Sequence, residues 1–153
     1  MSDFLKDIIK SSGNEYAGVA SEGIDGSDVT GFIDTGSYAF NALLSGSLYG
    51  GIPNNKIMAL AGESATGKTY FALGMCKKFL DDNPDGMILY FDTESAVTSD
   101  MITERGLDPK RVAVFPVATV EGFRHQAISI VDTYIETKEK KPVFVVLDSL
   151  GML

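Results

Sequence analysis

The sequence predicts an α/β fold: a mainly parallel sheet flanked by helices, preceded by an N-terminal helix on a flexible arm. From Phe32 onward, short apolar runs alternate with segments of helical periodicity, and the runs are apolar throughout. Strands of that kind are covered on both faces, as in parallel βαβ units. A glycine-rich loop also stands between one apolar run and the helical segment that follows it. Strand, loop and helix in that order make the first half of a crossover unit.

Met1 to about Ser12 reads as a short amphipathic helix with Phe4, Leu5, Ile8 and Ile9 on one side. Ser11 to Gly31 is rich in Gly, Ser and Asp, which is linker chemistry. Residues 1–31 are therefore expected to form a helix and arm, and residues 32–153 the core. A helix tethered this way cannot bury its apolar side alone; it must fold back or dock on a neighbouring molecule. The candidate strands are Ile57–Ala61, Met87–Asp92, Arg111–Phe115 and Val143–Asp148, with helices near Lys68–Leu80, Ser99–Arg105 and Val120–Thr137. In the last helix Val120, Phe123, Ala127, Ile130, Val131 and Tyr134 form one apolar stripe. There is no internal repeat and no low-complexity tract.

Composition bounds what the chain can be. A length of 153 residues suits one domain with a substantial core, and 44% hydrophobic with 22% charged residues is ordinary for a soluble globular protein. No apolar run approaches the roughly 20 residues of a membrane span, so no membrane association is expected. The first residues lack the basic and apolar regions of a signal peptide, and a single cysteine suits a reducing compartment, so a cytoplasmic location is expected. Cys76 falls on the core stripe of its helix, where packing outweighs reactivity. His125, the only histidine, falls off the apolar face of its helix and is expected in solvent. The net charge of −8 argues against a broad nucleic-acid surface, which needs clustered Lys and Arg. The densest basic cluster, Lys138 to Lys141, reads as the solvated end of a helix.

The chemistry begins in the loop. Gly62, Glu63, Ser64, Ala65, Thr66, Gly67, Lys68 and Thr69 match G-x-x-x-x-G-K-[ST] in full, and Tyr70 opens the helix behind them. Its glycines let backbone N–H groups converge on an anion, and the helix N-terminus adds partial positive charge. Lys68 would reach the β- and γ-phosphates of ATP, in binding and in catalysis, and the Thr69 hydroxyl would ligate Mg²⁺. An ordinary glycine turn before a helix is the bland alternative, but pattern and flanks together favour nucleotide binding. Val143-Phe144-Val145-Val146-Leu147-Asp148 is an apolar strand ending in a carboxylate, and Asp148 would hold Mg²⁺ through water. Met87 to Asp92 leads into a second carboxylate at Glu94. Glu94 could accept a proton from the water attacking the γ-phosphate, with Asp92 supporting it or the metal shell. Equally, both could open a loop and cap the next helix; spacing alone leaves the two readings level.

These elements in this order resemble the RecA/RadA family of recombinase ATPases, and especially its bacteriophage branch, the UvsX-type recombinases. Asp34-Thr35-Gly36-Ser37 with Phe40 to Leu44, then Gly50-Gly51-Ile52-Pro53, resemble the family's opening and its turn into the phosphate-loop strand. Tyr90-Phe91-Asp92-Thr93-Glu94 resembles the family segment whose glutamate is the catalytic base, which implies that role for Glu94. Gly106-Leu107-Asp108-Pro109-Lys110-Arg111-Val112 and Val146-Leu147-Asp148-Ser149-Leu150-Gly151 match two further family segments. Where the family commonly stacks an aromatic ring on adenine, this chain carries Met101.

The resemblance implies a RecA-like core truncated after the Asp148 strand: the N-terminal part of a longer recombinase. Family members continue with the DNA-binding loops and the groups that reach a neighbour's ATP. In the family sheet another strand lies between the phosphate-loop strand and the Asp148 strand, so those two are expected to face each other across a gap. The implied function is a DNA-dependent ATPase that self-associates into filaments on single-stranded DNA for recombination and repair. These 153 residues alone are expected to bind nucleotide weakly and hydrolyse it negligibly. Two alternatives remain: a RecA-fold ATPase of helicase or clock type, and a non-catalytic truncated protomer that caps recombinase filaments. The glutamate after the second strand favours the recombinase, since the other branches usually place theirs directly after the phosphate loop.

Overall fold

A computed structural model describes residues 3–23 and 28–153. In chain order the main elements are α1 (Asp3–Ser12), β1 (Phe32–Ile33), α2 (Tyr38–Ser45), β2 (Ile52–Pro53), α3 (Lys68–Asp82), β3 (Met87–Asp92), α4 (Ser99–Glu104), β4 (Val112–Pro116), α5 (Val120–Glu136) and β5 (Val143–Asp148). The central sheet is parallel and runs β4-β3-β5, with β3 in the middle. Its register sets Tyr90 beside Val146 and Asp92 beside Asp148, so the tips of β3 and β5 end level.

Alternation along β3 divides the core. Ile88 and Tyr90 are fully buried on one face, among Leu73, Cys76, Phe79 and Leu80 of α3, with Ile102 of α4 and Leu107. On the other face Phe91 meets Phe115 at 5.0 Å and Phe123 of α5 at 5.0 Å, edge-on to the latter ring. Helices thus cover both faces, as the apolar strands required. Each large side chain buried in this way contributes about 1.5–3 kcal/mol. The expected α5 stripe is only partly covered. Phe123, Ala127, Ile130 and Tyr134 are half-buried, whereas Val120 and Val131 are exposed.

The segment before α3 is a smaller unit that seats the loop. β1 pairs antiparallel with β2, and Gly51 makes the close approach possible: its φ is +137°, and a Cβ there would lie 2.0 Å from the Ile33 carbonyl oxygen. Buried Asn41 holds the unit together, accepting from the Thr35 N–H and donating to the Asp34 carboxylate and the Leu48 carbonyl. Ile52 then packs on Ala72 and Met75 of α3. At the far end of α3, the Arg111 guanidinium donates to the carbonyls of Leu80, in the last turn, and of Asn83 and Gly86 just beyond it, satisfying the Leu80 acceptor that the helix leaves open.

Several elements differ from the sequence expectation. Ile57–Ala61 enters no sheet. Its residues alternate, with Met58 and Leu60 half-buried against the Ile52 cluster and Ile57 fully exposed. A strand needs a hydrogen-bonded neighbour, and none of the described residues supplies one beside this segment or on the free edge of β5. The strand expected at Arg111–Phe115 begins one residue later, because Pro109–Arg111 forms a 3₁₀ turn capped by Asp108. Pattern reading passed over α2, β1 and β2. In the N-terminal helix Phe4, Leu5 and Ile8 are exposed and Ile9 is half-buried, so its apolar side is largely uncovered by the described residues. Of that expected helix and arm, residues 1–2 and 24–27 lie outside the described residues. Thr30 and Gly31 are held by the Asn54 side chain. No described helix is long and apolar enough to cross a membrane.

Cys76 is fully buried, as its stripe position predicted, and that burial pushes its thiol up to about 12. Iodoacetamide at pH 8 should therefore label it only as the protein unfolds in urea. The folded value lies above the unfolded one, so this contribution to stability is intact below about pH 8.5 and is lost as pH rises toward 12. Cys76→Ala should show a shallower alkaline loss of stability in urea titrations; an unchanged slope would contradict the burial.

Candidate nucleotide and metal site

The loop is shaped by its own sequence. Gly67 sits at φ +91° as the N-cap of α3, a conformation that costs glycine little, and Ala65 takes φ +61°. Thr66 Oγ1 donates to the Glu63 carbonyl at 2.8 Å, closing the turn. The Lys68 ammonium donates to the carbonyls of Gly62 (2.9 Å) and Glu63 (2.7 Å), so the full positive charge lies inside the loop. Residues 62–67 are exposed, and Lys68 and Thr69 are half-buried at the first turn of α3.

The loop is tied to the sheet by one short contact. Thr69 Oγ1 donates to Asp148 Oδ2 at 2.6 Å, joining α3 to the tip of β5. Tyr90 donates its hydroxyl to the same oxygen at 2.7 Å. Burial, and then the hydrogen bond to Asp148, push the Tyr90 phenol well above the usual tyrosine range. It is therefore a neutral donor under all ordinary conditions.

Beside Asp148 the β3 tip is laced to the β5 tip. Thr93 N–H donates to the Asp148 carbonyl at 2.8 Å, Ser149 N–H donates to Thr93 Oγ1 at 2.8 Å, and Thr93 Oγ1 donates to the Ser149 carbonyl at 2.9 Å. Ser149 Oγ then donates to Glu94 Oε1 at 2.9 Å, fixing one oxygen of an exposed carboxylate. Asp92 is buried and turned inward. Its two oxygens accept the N–H groups of Glu94 (3.1 Å) and Val97 (2.9 Å). It therefore shapes the turn that presents Glu94. The helix that follows is capped by Thr98, not by either carboxylate.

A cleft of about 480 Å³ opens beside the loop, lined by Phe40, Leu60, Ala61, Thr66, Gly67, Lys68, Tyr70, Phe71 and Arg105. Arg105 lies over the Tyr70 ring, 4.0 Å from its centre. Met101, one turn earlier, is not among the residues lining this cleft; it is half-buried against the main core cluster. Three contributors were not apparent in the sequence: Tyr90, Ser149 and Arg105. Tyr90 looks like core in a strand of apolar residues, and only its hydroxyl hints otherwise.

The residues present suit Mg²⁺. Two hard oxygens, Thr69 Oγ1 and Asp148 Oδ2, stand together, and no described group of three or more His, Cys, Asp or Glu forms an all-protein cage. Mg²⁺ typically binds this way, through one or two protein oxygens with phosphates and waters completing its shell. His125 is exposed and takes no part.

Comparison with known proteins agrees with this fold. No protein-family profile matches the chain. It is 34% identical over its whole length to a protein of Enterobacteria phage T4 named "Recombination and repair protein", spanning 38% of that relative. Over 68% of its length it is 34% identical to "Protein RecA" of Malacoplasma penetrans (strain HF-2), spanning 29% of that protein. The α/β core, with its three-stranded parallel sheet, is consistent with part of a RecA-like core. The chain is homologous to the phage T4 recombination and repair protein and to RecA, and spans well under half the length of either.

Asp92→Asn should destabilise the protein, because one of two accepting oxygens becomes an amide donor facing an N–H group. The expected loss is about 1–3 kcal/mol in urea unfolding. Stability equal to wild type would remove Asp92 from its role in shaping the turn.

Proposed function

We propose that this chain is the nucleotide-binding part of a recombinase that uses ATP and Mg²⁺ and forms filaments on single-stranded DNA for recombination and repair. The observation that carries the reading is the 2.6 Å hydrogen bond from Thr69 to Asp148, which brings the loop and the metal carboxylate together across the fold. The loop amides and Lys68 bind the phosphates, with Tyr70 and Arg105 bordering the cleft beside them. Met101 remains the proposed base-side neighbour. Mg²⁺, held by Thr69 and Asp148, would neutralise charge on the phosphate oxygens. Glu94, oriented by Ser149, takes the proton from the attacking water. DNA contacts and protomer contacts belong to the whole recombinase. The apolar side of α1 suits packing on a neighbouring protomer, since Phe4, Leu5 and Ile8 are left exposed by the described residues.

Lys68→Ala should weaken ATP binding about tenfold to a hundredfold, the worth of hydrogen bonds to a charged group. NMR or calorimetric titration reads this directly, and equal affinity in the two proteins would sink the phosphate-loop assignment. In a recombinase protomer carrying the remaining family segments, Glu94→Gln should keep ATP bound while cutting hydrolysis at least about a hundredfold. Undiminished turnover would leave Glu94 as a loop residue only.

A further inference from the structure

Tyr90 does more than fill the core. Its ring is fully buried among Leu73, Cys76 and Ile88, where a phenylalanine would pack as well. A buried phenol needs a hydrogen-bond partner, or its hydroxyl costs about 1–3 kcal/mol. The partner here is not a backbone carbonyl but Asp148 Oδ2, at 2.7 Å. That oxygen also accepts from Thr69 at 2.6 Å. Two hydroxyls from different elements, α3 and β3, therefore converge on one oxygen of the β5 carboxylate. The register explains the reach. Tyr90 sits beside Val146, and Asp148 lies two residues further along β5 on the same face.

We propose that Tyr90 is a positioning residue for the metal: by holding Oδ2, it fixes the rotation of the Asp148 carboxylate and so the direction in which Asp148 meets a Mg²⁺ shell. Outer-shell donors of this kind typically change metal affinity 10- to 100-fold when removed. Thr69 alone cannot hold the carboxylate as firmly, because its hydroxyl oxygen is itself a metal ligand in the reading on which this proposal rests. The Tyr90 hydroxyl has no competing duty.

The test compares wild type, Tyr90→Phe, Asp148→Asn and the double variant, each as ¹⁵N-labelled residues 1–153. ATP is titrated by NMR in excess EDTA and again across a Mg²⁺ series. In EDTA, Tyr90→Phe should bind ATP as wild type does, with amide shifts changed only near Tyr90 and Asp148. Its midpoint in Mg²⁺ should rise about tenfold. Asp148→Asn should blunt the Mg²⁺ response, and adding Tyr90→Phe to it should change nothing further, because the hydroxyl acts through that carboxylate. An unchanged Mg²⁺ midpoint in Tyr90→Phe would overturn the proposal, as would an equal loss of affinity with and without Mg²⁺, which marks a packing role. Wild type that fails to bind ATP at all would instead defeat the phosphate-loop reading, and this proposal with it.

Discussion

The parallel pairing of β3 with β5 is the constraint on which the candidate site depends. Because Asp92 and Asp148 stand side by side at the strand tips, the chain leaving β3 and the chain leaving β5 start from the same level. One carboxylate then turns inward to shape the Glu94 turn, and the other reaches α3. A one-step slip in a parallel ladder would send Asp148 to the opposite face, away from Thr69 and Tyr90. Phe144 and Val146 hold that register, since the same slip would turn them out of the core and bring the exposed Val145 inward.

The loop is seated from two directions. At its C-terminal side α3 is pinned to the sheet by Leu73, Cys76 and Phe79. At its N-terminal side the small unit of β1, α2 and β2 leans on α3 through Ile52, and through Phe40 against Phe71 at 4.4 Å between ring centres. The ion pair from Lys78 to Asp34 at 3.7 Å joins the same two parts, but at half-exposed positions it adds little beside the apolar contacts. Packing, not surface charge, positions the phosphate loop.

Most of the core was legible from periodicity. Strands β3 and β5, the helix behind the loop and the long α5 are continuous apolar runs or clear helical stripes, and they fall within a residue or two of expectation. The loop was legible because its glycine and lysine spacing has few other uses. What escaped lies where local pattern and tertiary outcome part. Ile57–Ala61 has strand composition, but pairing is a property of two chain segments, and its partner is not among the described residues. The two-residue strands β1 and β2 are too short to show periodicity. Tyr90 and Ser149 act through single hydroxyls whose partners lie 58 and 55 residues away, a distance over which sequence carries no local signal.

The Thr69–Asp148 contact closes a loop of 79 residues. During synthesis the glycine turn and its lysine leave the ribosome long before the carboxylate that completes them, along with the strands that will carry it. Closing so long a separation is entropically slow compared with forming α3 itself. The helix and turn can therefore begin to form early, while the Thr69–Asp148 contact arrives only with β5. On a growing chain, in the proposed reading, the onset of Mg²⁺-dependent nucleotide retention would serve as a clock for the docking of β5.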